Sequence, residues 1–259
     1  MSDSLPMLSI VVPTYHEADN VALLTERIFK TVRDAGIPCE LILVDDNSQD
    51  GSVEAIEKLK ASYPARIIVR EDKRGLSTAV LRGFEDAKGE IFLVMDADLS
   101  HPPEKIPDLY APVKSGEADF AFGSRYVSGG KTEDWPFIRK LNSRAATLLA
   151  RPLTRATDPM AGFFCLSRAT WENADPLSPL GYKIGLELLI KGRCRKLLDV
   201  PIMFADRHAG KSKLTFRQQL LYLIHLKRLY FFKFPRLSAL ILYGLPLLLL
   251  GGMLWIILI

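Results

Sequence analysis

The stretch Glu90-Ile-Phe-Leu-Val-Met-Asp-Ala-Asp-Leu-Ser-His-Pro-Pro103 decides how the rest of the chain is read. Residues 90–95 are apolar after the first glutamate, the pattern of a strand buried on both faces. Asp96 and Asp98 follow at once. In an extended segment residues i and i+2 point the same way. Two carboxylates so placed can share a hard divalent cation, with diphosphate oxygens and water completing its shell. Upstream, residues 8–13, 40–44 and 66–70 are three more apolar runs. Helical spacing lies between them: from about Asn20, with Val21, Leu24, Ile28 and Val32 on one face, from about Ser52, and over 76–87. Apolar strands alternating with helices of this length predict an α/β fold, its mostly parallel sheet covered on both faces. Such sheets bind ligands at the carboxyl ends of their strands. Pro13-Thr-Tyr-His-Glu17, Asp45-Asp-Asn-Ser-Gln-Asp50 and Asp96-Ala-Asp98 all fall at those ends.

The 259 residues, 48% hydrophobic and 25% charged, suffice for one packed α/β domain with an appendage. The net charge of +4 conceals an asymmetry. Residues 183–236 hold 13 Lys/Arg against 3 Asp/Glu, a surplus of 10, and residues 237–259 carry no charge, which leaves −6 for residues 1–182. A basic stretch beside an apolar one suits anionic lipid head groups or a phosphorylated ligand. The 23 uncharged residues 237–259 match the roughly 20 apolar residues that span a bilayer. Lys227, Arg228, Lys233 and Arg236 precede them, so the rest of the chain is expected on the cytoplasmic side. The N-terminus lacks the charged and apolar regions of a cleavable signal. Cys39, Cys165 and Cys194 are too scattered for a zinc site or a disulfide framework. Two further stretches read as amphipathic helices at a membrane interface or against a core: Ile138, Leu141, Ala145, Leu148 and Leu149, and Phe216, Leu220, Leu223, Ile224, Tyr230 and Phe231, each with interleaved arginines or lysines.

No glycine-rich phosphate loop of either common type occurs. Phosphates would then be neutralised by a metal on carboxylates, aided by Arg and Lys. The set Val12-Pro-Thr-Tyr-x-Glu17, Val44-Asp-Asp-Asn-Ser-x-Asp-Gly51 and Met95-Asp-Ala-Asp-Leu-Ser-His-Pro-Pro103 resembles the family 2 glycosyltransferases. More narrowly, Gly123-Ser-Arg-Tyr126, Trp135-Pro-Phe-Ile-Arg-Lys140, Asp158-Pro-x-x-Gly-Phe163 and Gly210-Lys-Ser-Lys213 resemble the dolichol-phosphate mannose synthases. The matches run in order from about residue 8 to 215.

That resemblance implies a Rossmann-like A-type glycosyltransferase domain over 1–213, an amphipathic interface helix over 214–236 and a C-terminal transmembrane helix over 237–259. It implies inverting transfer of mannose from GDP-mannose to dolichol or another polyprenol phosphate at the cytoplasmic face of a lipid bilayer, with Mg²⁺ or Mn²⁺ as cofactor. By position it assigns Pro13, Tyr15, Glu17 and Asp46 to the guanosine, and Asp96, Ala97 and Asp98 to the diphosphate, with Asp98 the primary metal ligand supported by Asp96. Ser100 stands where some relatives supply a Gln to the metal. Arg125, Arg139, Lys183, Arg207 and Lys213 would surround donor and acceptor phosphates, with Arg125, Arg139 and Arg207 acting in catalysis. Ala161 departs from the Ser or Thr common before that glycine.

His16, His101, His208 and His225 have no Ser or Cys partner motif and no zinc spacing, so structural or solvent roles are expected. The chemistry needs no histidine base, because a phosphate is already largely ionised near neutral pH. The alternatives are a UDP-glucose or other hexosyl polyprenyl-phosphate transferase on nearly the same scaffold, and a non-catalytic recruitment module. The second would be expected to lack the metal carboxylates or the arginines, and both are present. The basic stretch contains no nucleic-acid-binding motif, so no nucleic-acid partner is expected.

Overall fold

The computed structural model describes residues 7–71, 74–132, 135–206 and 215–240. Arg207, His208, Lys213 and residues 241–259, given roles above, lie outside them. The first half alternates as the sequence predicts: β1 (Leu8–Thr14), α1 (Ala18–Asp34), β2 (Cys39–Asp45), α2 (Ser52–Leu59), β3 (Ala65–Val69), α3 (Leu76–Asp86) and β4 (Ile91–Val94). Then come α4 (Ile106–Lys114), β5 (Phe120–Ser124), the short β6 (Lys131–Thr132), α5 (Phe137–Ala150), β7 (Phe164–Ser167) and α6 (Arg168–Glu172). The chain continues through α7 (Ile184–Lys191), β8 (Leu197–Pro201), β9 (Met203–Phe204), α8 (Phe216–Lys233) and α9 (Pro235–Ala239).

Seven strands form one sheet in the order β3-β2-β1-β4-β7-β5-β8, and β6 pairs with β9 apart from it. All neighbours in the large sheet are parallel except β7, which runs antiparallel to β4 and β5. Connections from β1 lead first to β2 and β3 on one side, and the chain then crosses to β4 on the other. That reversal opens a crevice at the carboxyl ends of β1 and β4. The register Val11↔Val94 puts the residues after β1 and after β4 at the same edge. Because β7 is antiparallel, the residues that precede it, Asp158 to Phe163, arrive at that edge as well. The three polar clusters predicted to converge therefore meet there with a fourth segment.

Alternation along β1 divides the core. Leu8, Ile10 and Val12 pack with Leu24 and Ile28 of α1, while Val11 packs on the other face with Val80 and Phe84 of α3. Each such side chain contributes roughly 1.5–3 kcal/mol on burial. At Gly83 a Cβ would lie 2.3 Å from Val11 Cγ1, so α3 rests directly on β1 only because that residue has no side chain.

A third apolar cluster joins α5, α7 and α8 through Ala150, Leu153, Leu186, Tyr222, Leu226 and Leu229. The Tyr222 hydroxyl donates to the Ala146 carbonyl at 2.7 Å, Tyr230 to Leu149 at 2.7 Å and the Lys233 ammonium to Leu153 at 2.6 Å. The inward stripe of α8 is thus Tyr222, Leu226 and Leu229. Of the stripe read from the sequence, Leu220, Leu223 and Ile224 are exposed, as an interface helix would require, while Tyr230 turns toward α5. Helix α5 likewise exposes Phe137, Ile138, Leu141, Leu148 and Leu149, with Ile138 and Leu148 each 70% accessible. Among the described residues no helix is long and apolar enough to cross a membrane.

Candidate active site

A cavity of about 1040 Å³ opens at the carboxyl edge of the sheet. It extends from Pro13, Tyr15, Glu17 and Asp46, past Asp96, Ala97 and Asp98, to a wall made by α5 and α8. Of the residues singled out in the sequence, Arg125, Arg139 and Lys183 also line it.

The Asp96-Ala-Asp98 turn is held from several directions. Leu99 adopts φ +63°, a left-handed conformation uncommon for a side chain of its size, and this folds the chain back sharply. The Ser100 N–H then donates to Asp98 Oδ1 at 3.0 Å. Asp98 is buried, whereas the Asp96 side chain is one-third accessible. The Asp96 N–H donates to His101 Nδ1 at 3.0 Å. This makes Nδ1 an acceptor and leaves the proton on Nε2. Burial pulls the His101 pKa down against the opposing Asp96 and Asp98 charges, in keeping with a neutral ring. The ring stacks on Phe163 at 5.2 Å, so its role is to brace the turn. Gly162 lies beside it: a Cβ there would sit 3.2 Å from Asp96 Oδ1 and 3.3 Å from His101. The glycine keeps the Asp96 carboxylate open toward the cavity.

Arg125, directly after β5, is clamped by the buried Asp158. Its Nε donates to Oδ2 at 2.6 Å, its Nη2 to Oδ1 at 2.8 Å and its backbone N–H to Oδ2 at 3.2 Å. Burial opposes its charge, but the hydrogen bond and charge of Asp158 outweigh this and raise its pKa. The guanidinium lies 5.0 Å from the Trp135 ring and 5.3 Å from Phe204. Arg139 sits over the same Trp135 ring at 3.9 Å. Lys183 precedes α7; its ammonium donates to the Met160 carbonyl and lies 4.4 Å from the Tyr182 ring. Burial first, and then the Arg125 charge, lower its pKa to about 8.

At the other end, Asp46 accepts from Arg70 and, at 2.7 Å, from the Gly75 N–H. Glu17 precedes α1 and accepts from Asn20 Nδ2 at 2.8 Å. Tyr15 is partly exposed, with the Arg74 guanidinium 5.6 Å from its ring. Ser100 Oγ is buried and has no hydrogen-bond partner among the described residues. Among the described residues no three His, Cys, Asp or Glu side chains cluster to hold a metal. Two carboxylates facing a cavity nevertheless suit a cation that takes one or two protein carboxylates and draws its other ligands from substrate phosphates and water.

Comparison with known proteins agrees with this geometry. The sequence profile of glycosyl transferase family 2 matches residues 9–171. The chain belongs to glycosyl transferase family 2. Among its relatives is the dolichol-phosphate mannosyltransferase of Pyrococcus furiosus, 45% identical over 226 residues that cover 86% of this chain and 63% of that one. The Saccharomyces cerevisiae enzyme of the same name is 46% identical, covering 87% of this chain and 88% of the relative. That of Mycosarcoma maydis is 41% identical, covering 90% and 82%. The chain thus spans under two thirds of the archaeal relative and most of the fungal ones. In fold it resembles glucosyl-3-phosphoglycerate synthase from Mycobacterium tuberculosis, solved with Mn²⁺, UDP-glucose and phosphoglyceric acid, with TM-score 0.65 at 19% identity over 87% of this chain and 79% of that one.

The structure adds residues to the site that the sequence does not reveal. Nothing local shows that Asp158 clamps a residue 33 positions earlier, or that Arg74 and Trp135 line the cavity. His101 has the structural role expected of it, set by the adjacent Asp96-Ala-Asp98 turn.

Proposed function

We propose that this family 2 glycosyltransferase moves mannose from GDP-mannose to dolichol phosphate or a related polyprenol phosphate, with inversion at the sugar. The observation that carries this reading is the cavity itself, polar at one end and apolar at the other. Carboxylates and arginines line it at the sheet edge, while Ile138, Leu149 and Leu223, all substantially exposed, line it where α5 and α8 meet solvent. A phosphate ester of a long hydrocarbon fits such a mouth. The names of the relatives point to the same acceptor and sugar.

Tyr15, Glu17 and Asp46 hold the nucleoside end of the donor, and Asp96 and Asp98 lie beside its diphosphate. A divalent ion, Mg²⁺ or Mn²⁺, bound through Asp98 and Asp96 would neutralise charge on that diphosphate. Arg125, fixed by Asp158, together with Arg139 and Lys183, offsets the repulsion between two phosphorylated substrates. An acceptor phosphate oxygen attacks C1 of the mannose as the bond from C1 to the GDP oxygen breaks. GDP leaves, and an α-linked donor gives a β-linked mannosyl phosphate. The attacking phosphate is already anionic, so the protein's task is alignment and charge stabilisation. Arg207 and Lys213 are assigned to the same phosphates by the family resemblance.

Residues 237–259 form the membrane anchor in this reading, the exposed faces of α5 and α8 rest in the bilayer interface, and the catalytic domain lies on the cytoplasmic side. The test is a donor screen on the purified full chain with polyprenol phosphate and Mg²⁺ or Mn²⁺, following labelled sugar into the organic phase. Labelled product from GDP-mannose supports the assignment. Product from UDP-glucose alone, or none from any donor, refutes it.

A further inference from the structure

Trp135 is 6% accessible and lines the cavity, yet its buried indole Nε1 has no hydrogen-bond partner among the described residues. A buried donor left unpaired is costly, and native structures rarely keep one without a purpose. Its surroundings indicate that purpose. Arg139 lies 3.9 Å from the ring and Arg125 lies 5.0 Å from it, while Phe204 packs edge-on at 5.5 Å. Both guanidiniums therefore share one aromatic platform, and an indole N–H belongs to that platform. Arg139 lies on the exposed first turn of α5, lines the cavity and sits over the ring.

We propose that Trp135 is a phosphate-binding residue of the active cavity. Its ring positions Arg139 beside Arg125, and its N–H donates to a phosphate oxygen once substrate is bound. The indole donor then makes a charge-assisted hydrogen bond in the complex. This inference rests on the proposed reaction for the nature of the anion, which is either the diphosphate of the donor or the monophosphate of the acceptor.

The experiment uses the full chain in detergent, labelled with ¹⁵N at tryptophan. Of its three tryptophans, Trp135 is assigned by the signal that disappears in Trp135→Phe. GDP with Mg²⁺ and a short polyprenyl phosphate are titrated separately. A downfield shift of the Trp135 indole proton with one of them supports the proposal and says which phosphate it meets. No shift with either ligand, each shown by calorimetry to bind, overturns it. Trp135→Phe keeps an aromatic face for the guanidiniums but removes the N–H together with the five-membered part of the indole. Its kcat/KM should fall about tenfold to a hundredfold. Normal kinetics with a lowered melting temperature would make Trp135 a core residue and overturn the proposal. Should wild type prove unable to transfer mannose, the reaction assignment fails, while the titration still decides whether the indole meets phosphate.

Discussion

Asp158→Ala should destabilise this protein more than any substitution of the carboxylates that face the cavity. Asp158 is wholly buried, and the Arg125 side chain is only 9% accessible. Two guanidinium bonds at 2.6 and 2.8 Å and a backbone bond at 3.2 Å end on the one carboxylate. Its removal leaves a largely buried guanidinium flanked by ring faces, with Asp96 the one remaining carboxylate named as acting on its charge. Breaking one side of a buried pair typically costs about 3–5 kcal/mol. For a chain of this size that corresponds to about 6–20 °C in melting temperature. The measurement is urea unfolding followed by circular dichroism, with thermal melts alongside. A second variant tests the cause. Arg125→Met with Asp158→Leu removes both charges and should recover most of the stability, because the penalty lies in the stranded ion, while turnover stays low. A loss below about 1 kcal/mol in Asp158→Ala, or a double variant no more stable than the single one, would refute the account of the clamp.

Asp98→Ala should abolish turnover, with Mg²⁺ or Mn²⁺ unable to restore it, and lower the melting temperature modestly, since the buried carboxylate accepts the Ser100 N–H; full activity in excess chelator would exclude the metal role. Lys183 has a folded pKa of about 8 against an ordinary 10.5, so the fold binds its proton less well than the unfolded chain does. Its cost is fully present below pH 8 and is relieved as pH rises from about 8 toward 10.5, so stability should climb across that window in wild type and more weakly in Lys183→Met. Phosphate affinity should move the opposite way, weakening above pH 8 as the ammonium is lost, which calorimetry with GDP can follow. Leu148→Glu with Leu223→Glu should reduce sedimentation with anionic liposomes several-fold and leave the melting temperature nearly unchanged, because Leu148 is 70% and Leu223 51% accessible; undiminished sedimentation would place the lipid contact elsewhere.

The first half of the fold was legible because its strands are buried on both faces. Unbroken apolar runs at 8–13, 40–44 and 90–95 leave little choice of secondary structure, and each expected strand lies within a residue or two of its structural bounds. Asp96-Ala-Asp98 was legible for the same reason, since its neighbours are committed to a strand. The antiparallel course of β7 was not, because four residues of strand carry no record of direction. Helix α8 is apolar on two faces: Tyr222, Leu226 and Leu229 turn inward, while Leu220 and Ile224 of the stripe read from the sequence are exposed. Hydrophobic spacing identifies one face only when the other is polar. The Arg125–Asp158 clamp and the Trp135 platform depend on contacts between distant segments, which composition and spacing do not encode.

Helix α8 has a double position. Gln218, Gln219, Tyr222 and Leu223 form part of the cavity wall, while Leu220 and Ile224 of the same helix look outward. One rigid element therefore borders the reaction chamber on one side and the proposed bilayer on the other. Trimming the protein back to its Rossmann-like core, the usual route to a soluble enzyme, would uncover Leu153, Met160 and Leu186 and remove a wall of the chamber together with the greasy exterior. Solubility would have to come from recolouring the outer face of α8 residue by residue, with the inner face left intact. In the other direction, if α8 rests in the bilayer as proposed, a detergent or lipid that tilted it would alter the shape of the chamber, so the choice of amphiphile would act on turnover as an allosteric ligand does.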